Sequence, residues 1–152
     1  MRKPHVTLLH YTAPPIVGGV ENVIAQHARL LVNAGYPVTI VTGRGGTEGI
    51  PAGVHVVVVP TLDSEHPENL EIVRALETNA VPPEFDTLRG SIERMLAPIC
   101  ADSDIVIVHN VFNFHFNLPL TAALHRLLDQ GFIRRMVAWC HDISRYVNPC
   151  SG

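Results

Sequence analysis

Five short runs of Val, Leu and Ile constrain what this chain can fold into more than any other feature: 5–10, 37–42, 54–59, 104–109 and 136–139. They are apolar nearly throughout rather than alternating, which is the pattern of strands buried on both faces. Helical periodicity fills most of the intervals. From Val20, apolar residues recur at Val23, Ile24, Ala28, Leu31 and Ala34, and Gly35 supplies the stop. The stretch 118–130 carries Leu120, Ala123, Leu124, Leu127 and Leu128 on one side and closes at Gly131. Between them, 61–102 reads as two helical pieces, roughly 68–78 and 84–101, divided by Pro82-Pro83, with a kink expected at Pro98. Buried strands alternating with helices predict an α/β domain with a doubly wound, mostly parallel sheet covered on both faces. The short Gly- and Pro-containing connection between the second and third strands fits either a hairpin or a tight crossover.

A chain of 152 residues makes one such domain without staples. Its net charge of -3, with 11 basic and 14 acidic residues scattered along the chain, offers no face for gripping a phosphate backbone, so nucleic acid is not an expected partner. Cys100, Cys140 and Cys150 are odd in number and lack CxxC spacing, which reads as free thiols in a reducing compartment. The first apolar run is too short for a signal peptide, and no uninterrupted apolar stretch reaches membrane-spanning length. A cytoplasmic location is expected. The segment from Arg145 to Gly152 follows the fifth strand without a covering helix, as in a chain cut short.

In open α/β sheets ligands bind beyond the carboxyl ends of the strands, so chemistry is sought in the loops there. The first loop carries Pro14, Pro15, Gly18 and Gly19 ahead of a helix. Paired glycines at that place either let backbone N–H groups approach an anion such as a diphosphate or simply turn the chain and cap the helix. Glu21, in the first helical turn, is open to a capping or a site role. The fourth strand delivers His109 and Asn110 to the same zone, and the fifth delivers His141 and Asp142. An imidazole there can donate to a sugar hydroxyl or stabilise developing charge. His10, His27, His55, His66 and His125 fall within or beside elements and read as surface or packing residues. Nine His and three Cys show no metal-ligand spacing. G-x-G-x-x-G and the phosphate-loop pattern are both missing, and the second strand ends in Thr42-Gly43 where a nicotinamide fold wants a carboxylate, so no cofactor is expected. Phe112, Phe114 and Phe116 form either an acceptor wall or partner-facing patch, or an inward-folded loop.

Gly18-Gly19-Val20-Glu21, the following helix to Gly35-Tyr-Pro-Val-Thr-Ile-Val41, the 104–109 strand and the His141-Asp142 pair together resemble the amino-terminal domain of family 4 retaining glycosyltransferases. Those enzymes pair two Rossmann-like domains in the GT-B arrangement. The resemblance implies that Gly18 and Gly19 face the diphosphate of a nucleotide-sugar donor and that His109 contacts the transferred sugar as the catalytic imidazole. It places Glu21, Asn110, His141 and Asp142 on the acceptor side. The acceptor is a hydroxyl compound, whether small molecule, glycan or lipid, the last with peripheral membrane contact. The carboxyl-terminal domain that would hold most of the nucleotide is not found in the sequence, so the single domain 1–152 is expected to be inactive alone. The alternative is a non-catalytic flavodoxin-like module docking through 112–116. The transferase reading requires that the helix-opening amides and the His109 ring meet at one crevice with the ring open to it.

Overall fold

The computed structural model describes residues 1–142, and the expected terminal segment from Arg145 to Gly152, with Cys150, lies outside the described residues. The chain runs β1 (Val6–Thr12), α1 (Gly19–Asn33), β2 (Val38–Arg44), β3 (Val54–Val58), a 3-10 turn (Pro60–Leu62), α2 (Pro67–Glu77), α3 (Pro83–Asp102), β4 (Ile105–His109), α4 (Leu118–Asp129) and β5 (Met136–Trp139). All neighbouring strands pair in parallel, in the order β3-β2-β1-β4-β5, so the fold is a Rossmann-like α/β sheet. The apolar runs become strands because each buries side chains on both faces. Leu8 and Ile40 pack under α1 against Ile24 and Ala28. Leu9, Val41, Val106 and Val108 face the other way, onto Leu88, Ile92 and Leu96 of α3 and Leu120 and Leu124 of α4. Each fully buried Leu or Ile contributes about 1.5 to 3 kcal/mol.

Two connections are decided by the structure. The link between β2 and β3 is a parallel crossover, not a hairpin, with Val38 opposite Val54. It contains no helix, and Gly45, Gly49 and Gly53 all sit at positive φ to return the chain over so short a distance. Helix α3 passes through Pro98 unbroken, because Leu88, Ile92, Leu96 and Cys100 anchor one face of it to the core. Pro98 itself lies on the exposed side. Cys100 is a buried thiol and Cys140 an exposed one. No described helix is long and apolar enough to cross a membrane.

The strand order reverses between β1 and β4: the chain winds outward through β2 and β3, then returns to the other side of β1. Such a switch point opens a crevice at the carboxyl ends of the two strands that flank it. Its outer wall leans on Gly43, where a Cβ would run into the backbone of Leu62 and Asp63. Gly43→Ala should therefore lower stability by about 1 to 3 kcal/mol through local displacement of the 3-10 turn. A urea titration showing an unchanged midpoint would refute that tight approach.

Candidate functional site

At the switch point lies an open cleft of about 340 Å³. Its sheet side is His10, Tyr11 and Thr12 from β1, its helix side Gly19, Val20 and Glu21 of α1, and its far wall Asn110, Phe114 and Phe116 beyond β4. Arg44, Ser64 and Glu65 close the remaining edge. The start of α1 and Asn110, just past β4, thus meet at one crevice, but the His109 ring, which the sequence reading requires to open onto it, is buried and does not line it.

Gly18 has an extended backbone that any residue can adopt. Its use is spatial, since a Cβ there would collide with the Glu21 carboxylate. That carboxylate folds back over the turn and accepts a hydrogen bond from the Thr12 hydroxyl, with Glu21 buried. Glu21 is bonded to a strand side chain and is neither a free surface acid nor a cap on the backbone. Gly19 has open space where a side chain would stand, so the first amides of α1, unpartnered within the helix by geometry, lie at the cleft wall. The dipole of α1 adds partial positive charge there.

His109 is fully buried and lies beneath the cleft rather than on its surface. A direct contact between this ring and a bound sugar does not fit that position. Instead its Nδ1 is 3.0 Å from Nε2 of His141, which is half-buried. Its Nε2 has no hydrogen-bond partner among the described residues. The ring of His27 lies 5.5 Å away and that of Trp139 5.9 Å away, while His10 donates from Nδ1 to the His109 carbonyl at 2.7 Å. In a neutral His10 this leaves Nε2 as the lone-pair nitrogen. Burial first, then the neighbouring His141, His27 and His10, push His109 down to about 3. Burial likewise lowers His10 and, less enclosed, His27. Among the described residues no group of three His, Cys, Asp or Glu side chains is disposed to hold a metal ion.

Asn110 sits at φ 56°, the left-handed region that Asn tolerates better than most residues. Its Oδ1 accepts from the His141 backbone N–H at 3.1 Å and from Asn113 Nδ2 at 2.7 Å, and its Nδ2 donates to Asp142 at 3.3 Å. Asn110 therefore clamps the β4 loop to the β5 loop and so sets the position of His141, while Asp142 remains exposed. The aromatic loop divides. Phe112 turns inward against the core and His125, whereas Phe114 and Phe116 stack at 4.7 Å along the cleft.

Three participants escape the sequence reading. His10 and His27 are drawn into the imidazole cluster by strand pairing and by the seating of α1, neither of which is local in sequence. Arg44 reads as part of a glycine loop but projects into the cleft, bonded to Asp63 at 2.8 Å and Glu65 at 3.0 Å. For His10 the available signal is its alternation with Thr12 at the end of a strand.

No family model matches this chain, and no curated protein matches it in sequence. Among solved structures, 91% of the chain aligns with 94% of the carboxyl-terminal domain of the PF1911 hydrogenase from Pyrococcus furiosus, at 8% identity and a TM-score of 0.46. A further alignment covers 90% of the chain but 28% of TcCGT1, solved in complex with UDP, at 16% identity and a TM-score of 0.46. At these values neither neighbour's activity transfers to this chain.

The depressed His109 gives a pH dependence of definite sign. The unfolded ring takes a proton below about 6.5 while the folded one stays neutral down to about 3, so stability falls as pH drops across that window. Between pH 7 and pH 5 the loss is about 2 kcal/mol from this ring, and the lowered His10 and His27 act in the same direction. Denaturation at the two pH values should show that decline, with a shallower slope in His109→Gln; equal slopes would sink the assignment. Asn110→Ala should cost about 2 kcal/mol, and hydrogen exchange should rise at His141. Exchange confined to other loops would exclude the clamp.

Proposed function

We propose that this chain is the amino-terminal, acceptor-side domain of a retaining glycosyltransferase of the family 4, GT-B kind, acting with a carboxyl-terminal domain that holds the nucleotide. The observation that carries this reading is the meeting of the α1 amino terminus, at Gly19, with His10 and Asn110 in one cleft at the switch point. Such a cleft can serve an anionic leaving group and a hydroxyl nucleophile at the same time.

In this reading the glycine turn at Gly18 and Gly19 faces the donor diphosphate, and the amides and dipole of α1 stabilise the charge that builds on it as the glycosidic bond breaks. The acceptor hydroxyl attacks from the face the diphosphate leaves, which gives retention, and its proton passes to the departing phosphate oxygen. His10 Nε2 orients that hydroxyl as a hydrogen-bond acceptor. In this reading His141, half-buried at the β5 end, takes over from the enclosed His109 ring as the imidazole that meets the sugar, and His109 acts through it as a positioning residue. Neither a metal nor another cofactor enters this scheme; a cytoplasmic setting, with peripheral membrane contact for a lipid acceptor, is part of the same proposal.

The test uses the protein joined to its carboxyl-terminal domain. It should transfer sugar from a nucleotide-sugar donor with the anomeric configuration kept, as read by NMR of the product. His141→Ala should lower kcat by about 10²-fold, the scale of losing one charge-stabilising donor. His109→Gln should lower kcat less and leave KM for the donor unchanged. An intact two-domain protein that consumes no nucleotide sugar, or an inverted product, rules the proposal out.

A further inference from the structure

We infer that the acceptor taken by the cleft is an unphosphorylated saccharide, neutral or carrying an amine, rather than a sugar phosphate; the inference rests on the transferase reading and names its acceptor class. The cleft is within the size range of small-ligand sites. One wall is aromatic: Phe114 and Phe116 lie nearly parallel, 10° apart, and Tyr11 meets Phe116 edge-on at 6.4 Å. A pyranose offers a C–H face that packs on such rings and a rim of hydroxyls that need polar partners.

Those partners are present. Glu21 and Glu65 bring carboxylates, which accept from sugar hydroxyls in short, charge-assisted bonds. Tyr11 is 5% exposed, lines the same cleft, and its hydroxyl has no hydrogen-bond partner among the described residues. A purely apolar ligand would strip water from both carboxylates and leave that hydroxyl orphaned. A polyhydroxylated ring supplies hydroxyl donors to both carboxylates.

Beyond the α1 amides, which the transferase reading gives to the donor diphosphate, the side-chain charge of the lining disfavours a phosphate on the acceptor. Arg44 is the cation of the lining among the described residues, and its guanidinium is already shared between Asp63 and Glu65. A phosphate dianion entering here meets Glu21 and Glu65 with that positive charge engaged. An ammonium group meets the same carboxylates favourably.

The chain itself, without donor, is titrated with neutral hexoses, their 2-amino forms and the matching hexose 6-phosphates, followed by NMR at the Tyr11, Phe114 and Phe116 rings. Expected is binding of at least one neutral or amino sugar at millimolar concentration, with its 6-phosphate at least tenfold weaker. Phe116→Ala, at a half-exposed position, should weaken the neutral sugar several-fold with the fold retained. Glu21→Gln with Glu65→Gln should narrow the gap between sugar and phosphate ester. The inference is overturned when a 6-phosphate binds as well as its parent sugar, or when no sugar of the panel moves the three rings at tens of millimolar. Binding needs no donor, so sugar discrimination without transfer in the two-domain protein would sink the transferase reading and leave the cleft assignment standing, and transfer to a phosphorylated acceptor alone would do the reverse.

Discussion

Everything at the carboxyl edge of this sheet depends on the parallel pairing of β1 with β4. Leu8 stands opposite Ile107 and Leu9 opposite Val108, joining segments about a hundred residues apart in sequence. Both strands are buried on both faces, so the register is held by packing against α1 on one side and α3 and α4 on the other. A slip of one residue would exchange the faces of every side chain. His10 would leave the cleft, and His109 would move from under α1 to the α4 side. The site is therefore a consequence of sheet register before it is a matter of which residues the loops contain.

A second layer of order comes from asparagines, whose short amides satisfy loop backbone that secondary structure leaves open. Asn117 caps α4 by accepting from the Leu120 N–H, and its amide donates to the carbonyls of Thr61 and Leu62. Asn69 donates to the carbonyls of Ser64 and Phe116. These two residues are fully buried and tie the 3-10 turn and the start of α2 to the loop after β4. The tie brings Phe116 beside Ser64 and Glu65, elements that share no sequence neighbourhood. Asn110 does the same between β4 and β5. The aromatic wall and the imidazoles are thus held by separate polar fastenings.

The elements were legible in the sequence because burial on both faces leaves a mark that is local: unbroken Val and Ile runs for strands, three- and four-residue spacing for helices. What local pattern could not supply was sense and depth. The link from β2 to β3 was compatible with either direction, and parallel pairing with a helix-free crossover follows from three glycines that accept positive φ. Pro98 marks a weak point by its own chemistry, yet four buried anchors on one face of α3 keep the helix continuous through it. For the site, the strand ends correctly marked His109, Asn110, His141 and Asp142 as neighbours, since carboxyl ends of parallel strands share one edge. Depth was invisible: the covering of His109 by His10, His27, Trp139 and His141 requires knowing how α1 lies across β4. Arg44 was hidden for a similar reason, because its place in the cleft is set by Asp63 and Glu65 from beyond β3.

The buried His109 ring is an unusual choice for a filled interior, since an apolar side chain would avoid desolvating two nitrogens. What it contributes is a fixed partner for His141. One ring must donate and the other accept across their 3.0 Å contact. If the proton sits on His109 Nε2, that N–H is buried with no acceptor among the described residues; if it sits on Nδ1, the same position holds only a bare lone pair. Orphaned buried donors are the rarer of the two in folded proteins. The arrangement that avoids one has His109 donating from Nδ1 and His141 accepting at Nε2, so that a neutral His141 carries its own proton on Nδ1. A ring that cannot readily take charge thereby selects the tautomer of a ring nearer the surface, and the strand end gains a hydrogen-bond donor of fixed identity without any charged group in the core.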